Sequence, residues 1–365
     1  MKGLMISSDF NDKILNGGMA INKRNYMVLN KCCKNLDLFI VKKKKRTQIL
    51  YEIITAKNFY GINLNDIENI IESIEINHYD FCFIGSSLAG NLVYHIKKRI
   101  PKIKVIVFFH NLEYKYFTQI KYLKVTSYKF LFRCLLAFVA KNSEKLSIEY
   151  ADKIISLNDR DAKEIEKFYK RKVDLIFPTT FEDMYINKYR KNIDIKNSPK
   201  ILLFVGSDFW ANFHGINWFI ENVLDSLDNV ILYVVGKGTE AWKEKFKNIN
   251  NLNIVGSVDD LGKYYILADA VISPIFKGSG MKTKTAEALM YGKYIFGTKE
   301  AFEGYDLDFS KIGGLCYNEE DFIEKINNHF KVINNNYNEY SRKIFLEKYD
   351  TKRWIGIMEK FLYKN

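Results

Sequence analysis

The chain lacks any run of roughly 18 apolar residues, the length a membrane span needs. Its densest apolar stretch, residues 130–140, is short and contains Arg133. No apolar core precedes the polar Asp9-Phe10-Asn11-Asp12-Lys13, so no signal peptide is expected. Cysteine is sparse: Cys32, Cys33, Cys82, Cys134 and Cys316 are an odd number, form no Cys-x-x-Cys pair and have no histidine at ligand spacing. That excludes a disulfide framework and a Cys/His metal centre. Cys82 sits in an apolar run and reads as a buried thiol. A soluble protein of a reducing cytosol is expected. Tandem repeats of solenoid period are also absent. The full Gly-x-Gly-x-x-Gly fingerprint and the Walker A spacing are missing too, which excludes two common phosphate loops.

What the chain does have is basic charge, unevenly spread. Its 365 residues hold 56 Lys+Arg against 43 Asp+Glu, a formal charge of +13, and 47% are hydrophobic, which suits a folded protein. Up to Phe177 there are 31 basic and 18 acidic residues; from Pro178 onwards there are 25 of each. The whole excess therefore lies in the first half. This asymmetry suggests two domains facing different partners. Codon bias towards Lys, Asn, Ile and Tyr would act on both halves alike.

Short runs rich in Val, Ile and Phe alternate with helical periods. Strands are expected at residues 3–7 and 80–85, at Lys104–Phe109, and at residues 153–157. A second series follows at Lys200–Val205, Val230–Val235, residues 252–255, Ala270–Ser273 and Tyr294–Gly297. Continuous apolar runs suit strands buried on both faces of a parallel sheet. Helices are expected from about residue 20, at 216–227, 239–248 and 261–267, and in the tail 340–363. The fold class is therefore α/β: two Rossmann-like doubly wound domains, with a ligand cleft expected at the carboxyl ends of the strands. The expected boundaries are 1–185 and 198–340. An aperiodic Lys/Asn/Ile-rich linker joins them, and a helical tail, 341–365, packs back towards the first domain.

Only the loops identify a ligand. After Ala270–Ser273 comes Lys277-Gly278-Ser279-Gly280-Met281-Lys282-Thr283-Lys284, then the helical Thr285-Ala286-Glu287-Ala288-Leu289-Met290. Glycines let the backbone curl, and the helix mouth offers unpaired N–H groups and a positive dipole end. Lys282 and Lys284 add full charges there, which makes a diphosphate site in physical terms. Glu287 has no metal-ligand partner one turn on, and accepting hydrogen bonds from a ribose diol suits it. Gly206, Ser207, Asn212, Gly215, Gly236, Lys237, Gly256 and Val258 stand at or after successive strand ends and suggest a backbone-lined nucleotide pocket. In the first half, Gly17-Gly18 forms a glycine turn, with or without a ligand. His110-Asn111-Leu112-Glu113-Tyr114 follows a strand, where His110 either meets substrate or caps a helix.

As an ordered set, these residues resemble the retaining nucleotide-sugar glycosyltransferases of family four, with the two-domain GT-B fold. The match covers nearly the whole chain. It runs through Gly17-Gly18, His110-Asn111-Leu112-Glu113-Tyr114, Ala151-Asp152-Lys153-Ile154-Ile155-Ser156, the glycine-ended strands of the second half, and the Gly278–Gly292 stretch. The resemblance implies a metal-independent hexosyltransferase with no cofactor beyond its UDP- or GDP-sugar substrate. Lys284 would contact the donor diphosphate, Lys282 would stand where many relatives have Arg, and Glu287 would hold the ribose. Gly280, Met281 and Thr283 would line the donor site, with Gly280 and Met281 offering N–H groups. His110 would reach the donor sugar, and Gly17, Gly18 and Glu113 would shape the phosphate and acceptor side. Two departures stand out. Ser207 replaces a frequent Arg, and Ser279 occupies the place of the first of two spaced glutamates, which leaves the donor sugar open.

With no carboxylate nucleophile placed, front-face retention is the implied mechanism. The acceptor would be a glycan or lipid-linked sugar, in cell-surface polysaccharide (capsule, exopolysaccharide, O-antigen-like) or glycoconjugate synthesis. Tyr116, Phe117, Lys121, Tyr122, Lys124, Tyr128, Lys129, Phe130, Phe132 and Arg133 mix aromatic and basic character. The segment reads either as a core helix with a basic flank or as a contact with an anionic membrane face. No nucleic acid is expected, because no recognised nucleic-acid module is present. A nucleotide-sugar epimerase or phosphorylase on the same fold, and a non-catalytic glycan-binding relative, stay open as alternatives.

Overall fold

A computed structural model of the chain describes residues 1–8, 17–41, 62–118, 128–185, 198–278, 281–333 and 335–364. The chain divides into two compact units: Met1–Pro178 with Trp354–Asn365, and Thr179–Arg353.

The first unit is built on strands β1 (Lys2–Ser8), β2 (Asn35–Val41), β3 (Phe81–Ile84), β4 (Lys104–Phe109), β5 (Lys153–Ser156) and β6 (Leu175–Ile176). Every pairing is parallel, in the order β2-β1-β3-β4-β5-β6. The second unit holds β7 (Lys200–Val205), β8 (Val230–Val235), β9 (Leu252–Gly256), β10 (Ala270–Ser273), β11 (Tyr294–Gly297) and β12 (Gly313–Leu315). These are again all parallel, in the order β12-β11-β10-β7-β8-β9. The expected class, two doubly wound α/β domains, is what is found. Strand order reverses between β1 and β3 in one unit and between β7 and β10 in the other. Loops leaving the carboxyl ends at such reversals diverge and open a crevice for ligands.

Helices cover the sheets by presenting one apolar stripe each. In Leu64–Asn77 the stripe is Ile67, Ile70, Ile71 and Ile74, all buried in the first core. Asn63 and Asp66 cap its start reciprocally, at 2.7 and 2.9 Å. The last helix, Thr351–Tyr363, joins the first unit from residue 354 on. The Trp354 ring lies 5.0 Å from that of Phe177, and the Cys32 thiol donates to the Ile355 carbonyl at 3.3 Å. Residues 341–353 belong to the second unit. Among the described residues no helix is long and apolar enough to cross a membrane.

Some expectations need correction. β2, β6 and β12 lie outside the expected strands. β2, at a sheet edge, has only Leu36 and Val41 buried, β6 is two half-buried residues at the other edge, and β12 is Gly-Gly-Leu. The helix expected at 239–248 is a single 3-10 turn, Thr239–Trp242, followed by turns. The helix expected at 216–227 begins at Trp210 and ends at Asn222. Gly17-Gly18 lies within the first turn of the helix Gly17–Cys32 rather than in a turn before it.

Two glycines have opposite surroundings. A Cβ on Gly215 would stand 1.9 Å from the Pro274 carbonyl oxygen, so the helix Trp210–Asn222 rests directly on the chain leaving β10. Gly356 has nothing within 4 Å and sits mid-helix. Gly215→Ala should destabilise by about 1–3 kcal/mol through overpacking. Gly356→Ala should stabilise by roughly 0.5–1 kcal/mol through backbone entropy. Urea denaturation checks both; equal effects would contradict the packing.

Candidate functional site

In the second unit the crevice is made by the ends of β7 and β10. Past β7, the Gly206 amide donates to the Val235 carbonyl at 2.9 Å, and the chain turns towards the helix Trp210–Asn222. Asn212, in the first turn of that helix, donates its Nδ2 to the Ser207 carbonyl at 2.9 Å. That bond aims the other amide atom, Oδ1, at Lys284, whose Nζ donates to it at 2.7 Å. Lys284 Nζ also lies 4.4 Å from the centre of the Phe204 ring. A Cβ on Gly206 would come within 3.0 Å of that ammonium, so the three loops converge on one point.

The helix that carries Lys284, Thr283–Met290, starts without a side-chain cap. Thr285 anchors its first turn by donating to the Ala301 carbonyl at 2.8 Å. Lys284 is buried. Burial pulls its ammonium down to about 7; Lys282 pushes the same way and Glu287 opposes. Glu287, one turn on, is pushed up to about 7 by burial, against the Tyr265 hydroxyl and Lys284. Tyr265 donates to Glu287 Oε2 at 3.2 Å, and its ring stacks parallel on Tyr291 at 5.0 Å. Lys282, expected beside Lys284 as a second charge for an anion, forms an ion pair with Glu300 at 2.7 Å. An anion reaching Lys282 must compete with that carboxylate. The pairing was not visible in sequence because Glu300 comes from the loop after β11, brought alongside only by the sheet.

The remaining donor candidates separate into two groups. Gly236 and Gly256 tie the ends of β8 and β9 together, Gly236 N donating to Gly256 O at 2.9 Å, and Asp208 N donates to the Lys237 carbonyl at 2.8 Å. Lys237 and Ser207 are exposed, Val258 and Thr283 are half-buried, and Met281 is buried. Gly215 serves packing beneath the loop, as its position on Pro274 shows. Gly280 lies outside the described residues. Sequence reasoning missed Asp208, which accepts from Trp242 Nε1 at 2.9 Å and fastens the loop after β7.

In the first unit His110 stands just past β4. Its Nε2 lies 3.0 Å from both Asn22 Oδ1 and the Gly85 carbonyl. Two acceptors place the proton on Nε2, so Nδ1 carries the lone pair, and it is buried without a partner. Burial lowers the imidazole to about 4, opposed by the Gly85 carbonyl and reinforced by Arg24, so the ring is neutral near pH 7. Glu113 opens the short helix Glu113–Thr118, and burial pushes its carboxyl up to about 7.

The titration of Lys284 predicts how stability responds to pH. Between about 7, folded, and its ordinary 10.5, the unfolded chain holds a proton that the folded chain lacks. Stability therefore rises with pH across that window. From pH 7 to 9 the wild type should gain about 2 kcal/mol relative to Lys284→Met, read from urea midpoints. Parallel pH curves would contradict a depressed Lys284.

Residues 199–331 match the family model of the glycosyl transferases group 1. No curated protein sequence matches the chain. Among solved structures, a sucrose-phosphate synthase from Thermosynechococcus elongatus superposes with a TM-score of 0.71 at 14% identity, covering 99% of this chain and 98% of that one. The lipopolysaccharide outer core galactosyltransferase WaaB gives 0.67 at 12% identity, with 99% of each chain covered. Anabaena Alr3699/HepE, in complex with UDP and glucose, gives 0.66 at 12% identity over the full length of both. The chain thus has the two-domain α/β GT-B fold of these structures, and its segment 199–331 is similar to the glycosyl transferases group 1.

Proposed function

We propose that the protein transfers a hexosyl group from a nucleoside-diphosphate sugar to a glycan or lipid-linked acceptor, with retention at the anomeric carbon. One observation carries this reading. A buried ammonium, Lys284, stands at the β7/β10 reversal and at the mouth of an uncapped helix, within the segment that matches the glycosyl transferases group 1. The HepE complexes with UDP, and with UDP and glucose, support a nucleotide sugar as donor.

Charge explains the chemistry. Cleaving the anomeric C–O bond drives negative charge onto the departing diphosphate. A preorganised cation and helix N–H groups in a dry site stabilise that charge as it develops. Lys284 does this directly, and Lys282 joins by exchanging Glu300 for a phosphate oxygen. Glu287, already accepting from Tyr265, takes the ribose hydroxyls. His110, neutral and with its Nε2 committed to Asn22 and Gly85, is the residue of the first unit that we assign to the transferred sugar. In front-face retention the leaving phosphate itself takes the acceptor's proton, so no carboxylate nucleophile or metal is called for. Lys284→Ala should lower turnover by roughly 10²–10³. Product should keep the donor's anomeric configuration by NMR; an inverted anomer overturns retention. Sugar interconversion or phosphorolysis without an acceptor would favour an epimerase or phosphorylase instead.

The acceptor side is assigned to the basic first unit, at the inner face of an anionic membrane in a cell making surface polysaccharide. On the helix Tyr128–Tyr150, Leu131 and Phe138 are 65% and 57% exposed, and Arg133 reaches the Tyr116 ring at 5.5 Å. Arg133 lies on the other side of the helix, but the exposed Lys145, seven residues after Phe138, continues the face of Leu131 and Phe138, so apolar side chains meet a basic one there, the composition that docks at headgroups. Lys121, Tyr122 and Lys124 lie outside the described residues. The protein should co-sediment with anionic vesicles at low salt and release at high salt. Equal binding to neutral vesicles would contradict electrostatic docking.

A further inference from the structure

The inner face of the helix Tyr128–Tyr150 carries an unexpected polar strip: Ser143, Glu144 and Ser147, all buried. It grips two loops at once. Towards the loop after β3, Ser143 Oγ accepts from Gly90 N at 3.0 Å and donates to the Leu88 carbonyl at 2.6 Å. Ser147 Oγ donates to the Ser87 carbonyl at 2.8 Å. A Cβ on Gly90 would stand 1.9 Å from the Ser143 carbonyl oxygen, so loop and helix touch backbone to backbone. Towards the loop after β4, Glu144 Oε1 accepts from Glu113 N at 2.7 Å and Oε2 from Tyr114 N at 3.4 Å. The Tyr169 hydroxyl donates to Oε2 at 2.9 Å, and that of Ser87 to Oε1 at 3.4 Å.

We propose that Glu144 is a positioning residue for His110, locking the turn that carries the imidazole onto the loop that supplies its Gly85 partner. A fully buried carboxylate is costly unless its oxygens are satisfied. At a helix position facing a core, Ala or Leu would cost nothing. Burial pushes the Glu144 carboxyl up to about 8, and the Tyr169 hydroxyl and the Glu113 and Tyr114 amides oppose that by meeting its oxygens, which offer about four lone-pair sites when ionised. Here four donors from three segments meet them: the β3 loop, the start of the helix Glu113–Thr118, and Tyr169 at the end of the helix Asp159–Tyr169. The first N–H groups of Glu113–Thr118 therefore find their acceptor 31 residues away instead of in a local cap. His110 lies three residues before that anchor, and its Nε2–H depends on Gly85, two residues before Ser87. If the two loops separate, the Nε2–H loses its carbonyl and keeps only Asn22 Oδ1, a side-chain amide that can turn its NH2 to the ring and so no longer fixes which nitrogen holds the lone pair.

This inference rests on the reading that His110 serves the transferred sugar, so its test includes a readout that needs no activity. In the full chain, selectively ¹⁵N-labelled at histidine, the His110 side-chain signals report the tautomer. Wild type should show a protonated Nε2 and an unprotonated Nδ1. Glu144→Ala should shift or mix these signals, and should lower kcat by roughly 10²-fold with little change in donor KM. Glu144→Gln, the same shape with one carbonyl acceptor, should fold and fall between the two. Tyr169→Phe, which removes a donor but leaves both loops attached, should keep the wild-type His110 signals. Altered His110 signals in a chain without transferase activity would uphold the positioning role and sink only the assigned task of His110. A folded Glu144→Gln or Glu144→Ala that melts earlier while its His110 signals stay in place overturns the proposal, because Glu144 would then serve stability alone.

Discussion

The Lys284 ammonium is held by an amide oxygen at 2.7 Å and an aromatic face at 4.4 Å, deep enough that its charge is costly. Much of the second unit is arranged around that burial. The reversal of strand order brings the ends of β7 and β10 together. Asn212 is oriented by the Ser207 carbonyl and thereby presents an acceptor in place of a carboxylate. Thr285 pins the helix so that its open mouth lies at the same place. Such a cation gains most from an anion arriving from outside, and this is the physical basis of the donor assignment.

The first unit makes the opposite choice. Its candidate site residue, the half-buried His110, is neutral, and its proton is committed to Gly85 and Asn22. Precision there comes from a helix with two characters. Its inner polar strip fixes the loops that bear His110 and Gly85. Its outer side leaves Leu131 and Phe138 in solvent. One element thus has both an organising face and an exposed apolar one.

Lys104–Phe109, Lys200–Val205, Val230–Val235, Ala270–Ser273 and Tyr294–Gly297 were legible to the residue, because strands buried on both faces leave uninterrupted apolar runs with polar or glycine ends. β2 is only partly buried, and β6 and β12 are two and three residues long, so none of them leaves a fully buried run to read. Thr239-Glu240-Ala241-Trp242 looked helical but follows Gly238 in a left-handed conformation and closes only one 3-10 turn. Lys284 was legible because a strand, glycines and a helix flank it in sequence. The Lys282–Glu300 pair and the Glu144 network were not, because their partners come from distant segments. A glutamate within a helix normally reads as solvated. Gly215, expected at the donor pocket, also lets a helix lie on Pro274, a contact that its place in sequence does not show.

Backbone hydrogen–deuterium exchange with and without saturating UDP tests the account most directly, since it maps where the diphosphate lands without assuming a sugar or an acceptor. The account predicts slowed exchange in the turn after β7, residues 206–212, and in the first turn of the helix Thr283–Met290, with little change at residues 313–333. Bound UDP that leaves both of those segments unprotected, or protects a different strand end, would contradict it.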